Sequence, residues 1–172
     1  ANNMTGWNAY STSLNAGESG ANQPMWDNMY GLVEPCNVLI QNIPQYYSQT
    51  SKTYNTRLGE AYFLRAYAYF ELVKQFGGVP LKLKPSTNIE TYFTRNTEEE
   101  CYAQIISDFA KADSLLPSTP EATGRITKSA AEHFLAKAHL FRASELYDSW
   151  NSKYQDQDLK NVITYGKEVI AA

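Results

Sequence analysis

The chain has 172 residues and a mass of 19.4 kDa, with 43% hydrophobic and 19% charged residues, enough sequence to bury a sizeable core. A mean hydropathy of −0.47 at ordinary charge content excludes a membrane-embedded chain and a disordered one. Net charge is −3, from 15 Lys and Arg against 18 Asp and Glu, and no basic run exceeds one residue, so no face can neutralise a series of phosphates and nucleic acid is excluded as a partner.

Residues 1–25 are rich in Asn, Ser, Thr and Gly and show no sustained period, which predicts a loop region with Trp7, Tyr10 and Leu14 as anchors. From Trp26 the apolar residues Met29, Tyr30, Val33, Ile40 and Ile43, with Asn37 among them, recur at helical steps up to Pro44. Pro35 inside this segment is expected to kink or divide the helix. A second helix over about 55–76 is apolar on two faces, Leu58, Ala61, Tyr62, Tyr69, Leu72 and Phe76 on one and Phe63, Ala66, Phe70 and Val73 on the other. Such a helix lies between neighbours. Gly77-Gly78 supplies its stop and Pro80 prevents resumption, leaving Val79 to Phe93 extended or irregular. Thr97 and Glu100 form a capping box that opens a third helix ending at Pro117. A fourth runs from about Thr127 or Ser129 to about Tyr147, and a fifth, after a polar 148–157 linker, carries Leu159, Val162, Ile163, Gly166, Val169 and Ile170.

Helix starts near 26, 56, 97, 128 and 158 give the rhythm of antiparallel helix pairs joined by irregular loops. The predicted class is all-α, one helical domain over residues 1–172 with a loop region at 1–25 and helices over 26–172. The repeat is tetratricopeptide-like in pattern only, since the Trp, Gly and Tyr signature of a regular array is missing. No apolar stretch approaches the ~20 residues of a membrane-spanning helix.

Residue types that carry chemistry are sparse. Cys36 and Cys101 lie 65 positions apart without a zinc-like pattern, which leaves two buried free thiols or one helix-to-helix disulfide. His133 and His139 stand six apart on one helix, about 240° around it, and share neither a metal nor a proton relay. They read as one surface and one partly packed histidine. Asp27, Glu60, Glu71, Asp108, Asp113, Glu132 and Glu145 fall on different helices, mostly on faces that look solvated, and form no recognisable catalytic pair. No nucleophile elbow, phosphate loop or metal motif occurs, so no catalytic residue, metal site or cofactor is predicted. Arg65 interrupts an apolar face and is either an inter-helix ion pair or a ligand clamp.

Of the aromatic residues 13 are Tyr, 7 Phe and 3 Trp, and Trp26, Tyr62, Tyr67 and Tyr69 follow core periodicity. Trp7, Asn8 and Tyr10 are the candidate ligand contacts, because sugars stack C–H faces on aromatic rings and bond their hydroxyls to Asn and Tyr. The competing role for Trp7 is to anchor its loop to the helices. Trp150, with Tyr147 and Tyr154, is a weaker second cluster.

The run Glu60-Ala61-Tyr62-Phe63-Leu64-Arg65-Ala66-Tyr67, continuing through Phe76-Gly77-Gly78-Val79-Pro80-Leu81, resembles the signature helix of the SusD/RagB-like family of Bacteroidetes. Trp26-Asp27-Asn28-Met29-Tyr30 with Asn37, Arg95-Asn96-Thr97 with Tyr102, Ile105, Ile106 and Asp108, and Gly124-Arg125-Ile126-Thr127-Lys128 with the alanines that follow agree in order and spacing. The likeness covers about residues 26–172 well and 1–25 loosely. It implies an all-helical, tetratricopeptide-like superhelix in a surface lipoprotein of the outer membrane. Such a protein captures glycans, in some relatives peptides, and passes them without cleavage to a TonB-dependent SusC-like transporter. The other reading is a helical-repeat scaffold that binds only protein or peptide. Members are several hundred residues long and begin after a lipid-modified cysteine, so this chain reads as the N-terminal part of a larger protein. A missing neighbour would leave an apolar patch at residues 159–170.

Overall fold

The computed structural model describes residues 19–144 and 150–172, and among these it is all-helical, with no strand. Five helices follow in order: α1 Ser19–Tyr46, α2 Lys52–Phe76, α3 Glu98–Leu115, α4 Lys128–Ser144 and α5 Gln155–Ala171. Each packs on the one before it and the one after it. The pairs are antiparallel: Gly59, early in α2, lies against Leu115 and Leu116 at the end of α3, while Gly77, just past α2, lies against Glu98 at the start of α3. This is the stacking of a helical-repeat superhelix.

Several helix boundaries differ from expectation. The first helix starts at Ser19, within the predicted loop region, and runs unbroken through Pro24, Pro35 and Pro44. All three prolines are exposed, and Gly31, whose carbonyl loses its partner to Pro35, is exposed as well, so that carbonyl is open to solvent rather than buried unpaired. The second helix begins at Lys52 because Ser51 caps it, accepting a 3.0 Å hydrogen bond from the Tyr54 amide. Within the predicted 148–157 linker a 3-10 turn covers Asn151–Lys153, and α5 already begins at Gln155. The stop and start signals around α2 and α3 hold: Gly77 has φ 67° and bonds back to Val73, and Thr97 and Glu100 form the capping box.

The core is built on rings. Phe134 of α4 stacks on Phe109 of α3 at 5.5 Å and meets the edges of Phe63 and Tyr67 of α2 at 5.4 and 5.5 Å, tying three helices through one side chain. Where α2 crosses α3, Gly59 lets the two helices approach closely. A Cβ at Gly59 would sit 3.0 to 3.1 Å from the Leu115 and Leu116 side chains. Those side chains can give way, and alanine gains ~1 kcal/mol in helix propensity, so Gly59→Ala should leave chemical unfolding within about 1 kcal/mol of the parent.

The α4–α5 contact is polar at its centre. Asp158 is fully buried, accepts two hydrogen bonds from Arg142 at 2.7 Å each, and lies 2.7 Å from His139 Nδ1. Asn161 Nδ2 lies 3.4 Å from His139 Nε2, so a neutral imidazole that donates from Nδ1 and accepts at Nε2 satisfies both neighbours. Burial lowers the His139 pKa, outweighing the Asp158 bond that would raise it. For Asp158 burial acts upward, but the bonds from Arg142 and His139 prevail and the carboxyl lies below its usual range. Both groups take up protons more readily when unfolded, so both contributions are present at neutral pH and are lost on acidification. The His139 part fades first, below the ordinary histidine value of 6.5, and the Asp158 part as pH falls through the unfolded carboxyl value of 3.8 and below. Thermal unfolding followed from pH 8 to pH 4 should therefore show a falling midpoint, with a shallower fall in His139→Gln.

The outer side of α5 has no neighbour among the described residues. Leu159, Ile163 and Ile170 are 43%, 58% and 88% exposed along it, the patch expected at 159–170. Cys36 and Cys101 are both buried and free, which removes the disulfide alternative, and burial pushes the Cys36 thiol up to about 11.

Candidate functional site

Between α2 and α3 the chain crosses the open end of the α1–α2 pair as a strap over residues 77–97. An irregular strap needs partners for its backbone groups, and α1, α2 and the strap's own Asn96 supply them. Tyr30 of α1 donates from its hydroxyl to the Pro80 carbonyl at 2.7 Å. Tyr69 of α2 donates to the Lys82 carbonyl at 2.7 Å and accepts from the Lys82 amide at 2.6 Å. Asn37 donates to the Lys82 carbonyl at 3.0 Å, and Asn96 accepts from the Leu81 amide at 2.9 Å. Burial raises the phenol pKa of both tyrosines, so both rings stay neutral and keep their protons for donation.

Arg65 is the hub beneath this strap. Its guanidinium forks onto Asp108 of α3 with bonds of 2.7 and 3.0 Å, and its remaining donor reaches Asn37 of α1 at 2.8 Å and the Leu83 carbonyl at 3.3 Å. Arg65 and Asp108 are both buried. Of the two roles open to it in the sequence, this geometry is the inter-helix ion pair, joining α1, α2, α3 and the strap.

The strap so held leaves a cleft of about 610 Å³ between itself and α1, lined by Trp26, Tyr30, Glu34, Pro80, Lys82, Ser86, Phe93 and Arg95. Trp26 packs on Tyr30 at 4.8 Å and on Phe76 at 5.2 Å, so its core assignment holds, yet it also presents surface to the cleft. Phe93 comes from the strap and is half exposed. Lys82 lies 3.4 Å from Glu90 and 3.9 Å from Glu34, with its ammonium 5.3 Å from the centre of the Phe93 ring. The Glu34 carboxylate also accepts from the Ser86 amide at 2.8 Å. A second hollow of about 330 Å³, lined by Leu81, Lys82, Leu83, Lys84, Pro85, Glu90 and Phe93, adjoins the first across Lys82 and Phe93. Volumes of this size, walled by rings with a few fixed polar groups, suit small organic ligands.

The other candidates separate cleanly. Trp7, Asn8 and Tyr10 lie outside the described residues, as do Glu145 and Tyr147. Trp150 packs on Tyr102 of α3 at 6.2 Å and Tyr154 bonds Glu99 at 2.6 Å, so the described part of that cluster closes the α3–α5 corner. His133 is exposed and His139 is buried, deeper than its expected partial packing. Among the carboxylates, Asp108 and Glu132 are buried rather than solvated, because each has a cation: Arg65 for Asp108 and Lys128, at 3.2 Å, for Glu132. Glu60 is bound by Arg125 at 2.7 Å, which anchors the 117–127 loop on α2, and Glu71 by Lys74 at 2.6 Å. Among the described residues no three His, Cys, Asp or Glu side chains cluster as a metal site would require, and no helix is long and apolar enough to cross a membrane.

No sequence period marks Phe93 or Arg95 as site residues, because the segment that bears them is irregular. Only the motif Arg95-Asn96-Thr97 marked their neighbourhood.

Residues 1–140 match the model of a SusD-like family described as starch-binding and associating with outer membrane. The chain is similar to the SusD-like protein P38 of Formosa agariphila, 31% identical over 127 residues that make up 72% of this chain and 24% of that protein. It is also similar to a solved structure described as a complex with xylogluco-oligosaccharide, at 25% identity and a TM-score of 0.74 over 86% of this chain and 29% of that one. A laminarin-binding SusD-like protein of known structure matches at 25% identity and a TM-score of 0.65, over 80% of this chain and 29% of that one. The chain spans about a quarter of the length of the curated relatives it matches. On the extent of the family match, the chain belongs to the SusD-like family.

Proposed function

We propose that this chain is part of a cell-surface glycan-binding protein of the outer membrane, which captures oligosaccharide and passes it, uncleaved, to a TonB-dependent SusC-like transporter. The observation that carries the reading is the cleft between α1 and the strap, where Trp26, Tyr30 and Phe93 offer ring faces beside Glu34, Lys82 and Arg95. Sugars present C–H faces to such rings and hydroxyls to such polar groups. Family membership and the two glycan-named structures support the same ligand class. Trp7, Asn8 and Tyr10 are proposed as additional glycan contacts, on the chemistry of their side chains alone.

Isothermal titration against a panel of soluble glycans, with chromatography of the glycan afterwards, tests capture without catalysis. Binding with the glycan recovered intact is expected. Binding to peptides and to no glycan would instead favour the protein- or peptide-binding scaffold, and shortened glycan products would favour an enzyme. Copurification of a SusC-like transporter from outer membranes tests the partner.

A further inference from the structure

Where the two hollows meet, the group around Lys82 has a composition that selects among sugars. We infer that the hollows form one groove for an uncharged oligosaccharide of at least two rings lying across Phe93, with Lys82, Glu34 and Glu90 as the group that reads its hydroxyls. This rests on the glycan reading and narrows it.

The geometry of Lys82 carries the inference. Its ammonium stands between Glu34 at 3.9 Å and Glu90 at 3.4 Å, and it also contacts Ser86 Oγ. These carboxylate distances are ion-pair separations longer than a charged hydrogen bond of about 2.8 Å. A hydroxyl placed among the three groups accepts from Lys82 and donates to a carboxylate at once, because it is both acceptor and donor. A uronate or sulfate cannot do this. Its negative charge would meet two carboxylates around a cation whose charge they already offset, and like charges at such separations repel. Glu34 lines the larger hollow and Glu90 the smaller, each paired with the shared Lys82, whereas the other cations, Arg95 in the larger hollow and Lys84 in the smaller, have no ion pair with that cluster among the described residues, so the selection acts at the cluster itself. Phe93 is the platform where the hollows meet: it lines both, it is half exposed, and it stands in the strap rather than in the core.

The test is isothermal titration of the protein and its variants with a neutral glucan hexasaccharide and with hexagalacturonate, circular dichroism confirming helix content. The protein should bind the glucan and not the galacturonate. Phe93→Ala should weaken glucan binding about tenfold, the value of one lost ring contact. Glu34→Gln with Glu90→Gln should leave Lys82 uncompensated and bring galacturonate binding into the measurable range, while lowering glucan affinity. Glucan binding unchanged in both variants would overturn the groove as the site while leaving glycan capture standing. A preference of the unaltered protein for galacturonate would overturn the selection for uncharged sugars. No binding of any glycan in the wider panel would remove the glycan reading itself.

Discussion

Replacing Arg65 by methionine should cost about 3–5 kcal/mol, the range for breaking a buried ion pair by removing one partner. Buried Asp108 would keep only Lys111, 3.9 Å from its Oδ1, Asn37 would lose the donor it accepts from at 2.8 Å, and the Leu83 carbonyl would lose its 3.3 Å contact. One substitution thus loosens α1, α3 and the strap together. Urea unfolding followed by far-UV circular dichroism measures the loss. Asp108→Asn keeps an acceptor of the same shape and should cost less, and the double variant should cost less than the two single losses added. An Arg65→Met protein of unchanged stability that had lost its ligand would contradict the structural role and restore the clamp.

The second large effect is expected at Gly78. A Cβ there would lie 2.1 Å from the Asn96 carbonyl oxygen and 3.2 Å from the Glu98 amide nitrogen, both backbone atoms. Neither can swing away as the leucines beside Gly59 can. The backbone at residue 96 is itself fixed, since its amide donates to the Val79 carbonyl at 3.2 Å and its side chain holds the Leu81 amide. Separation would displace the strap from the start of α3, where the capping box sits. Gly78→Ala should therefore cost about 3 kcal/mol, at the upper end of overpacking effects. The strap forms one side of the cleft, so ligand affinity should fall with stability. A stable Gly78→Ala protein with intact binding would show that strap and α3 need not touch.

Much of this arrangement could be read from residue order, because local chemistry decides it. Gly77-Gly78 stops α2 since a positive φ favours glycine, and Thr97 with Glu100 starts α3 since their side chains satisfy the first amides. An arginine on an apolar stripe must be satisfied, so residue order marks Arg65 as an ion pair or a clamp, and only the fold supplies Asp108 as its partner. The cleft was not legible in this way. Trp26 and Tyr30 repeat at core spacing because part of each ring is packed, and no periodicity reports that another part is uncovered. Phe93 joins them only through the path of the strap, fixed by long-range bonds from Tyr30, Asn37 and Tyr69. Pro35 does not divide α1 and Pro44 does not end it, and both lie on its exposed side, where the carbonyls they leave unpaired are open to solvent.

The apolar stripe on α5 shows in its period, but a period does not say whether a neighbour covers it, and among the described residues none does. The two curated relatives that match 72% and 73% of this chain are about three times as long as it is.

The most direct measurement is a crystal structure of the protein with a bound neutral oligosaccharide that titration has shown to bind. The account predicts a sugar ring stacked on Phe93 between α1 and the strap, with hydroxyls bridging Lys82 to Glu34 or Glu90. A well-ordered oligosaccharide on another surface, with the cleft untouched, would contradict it.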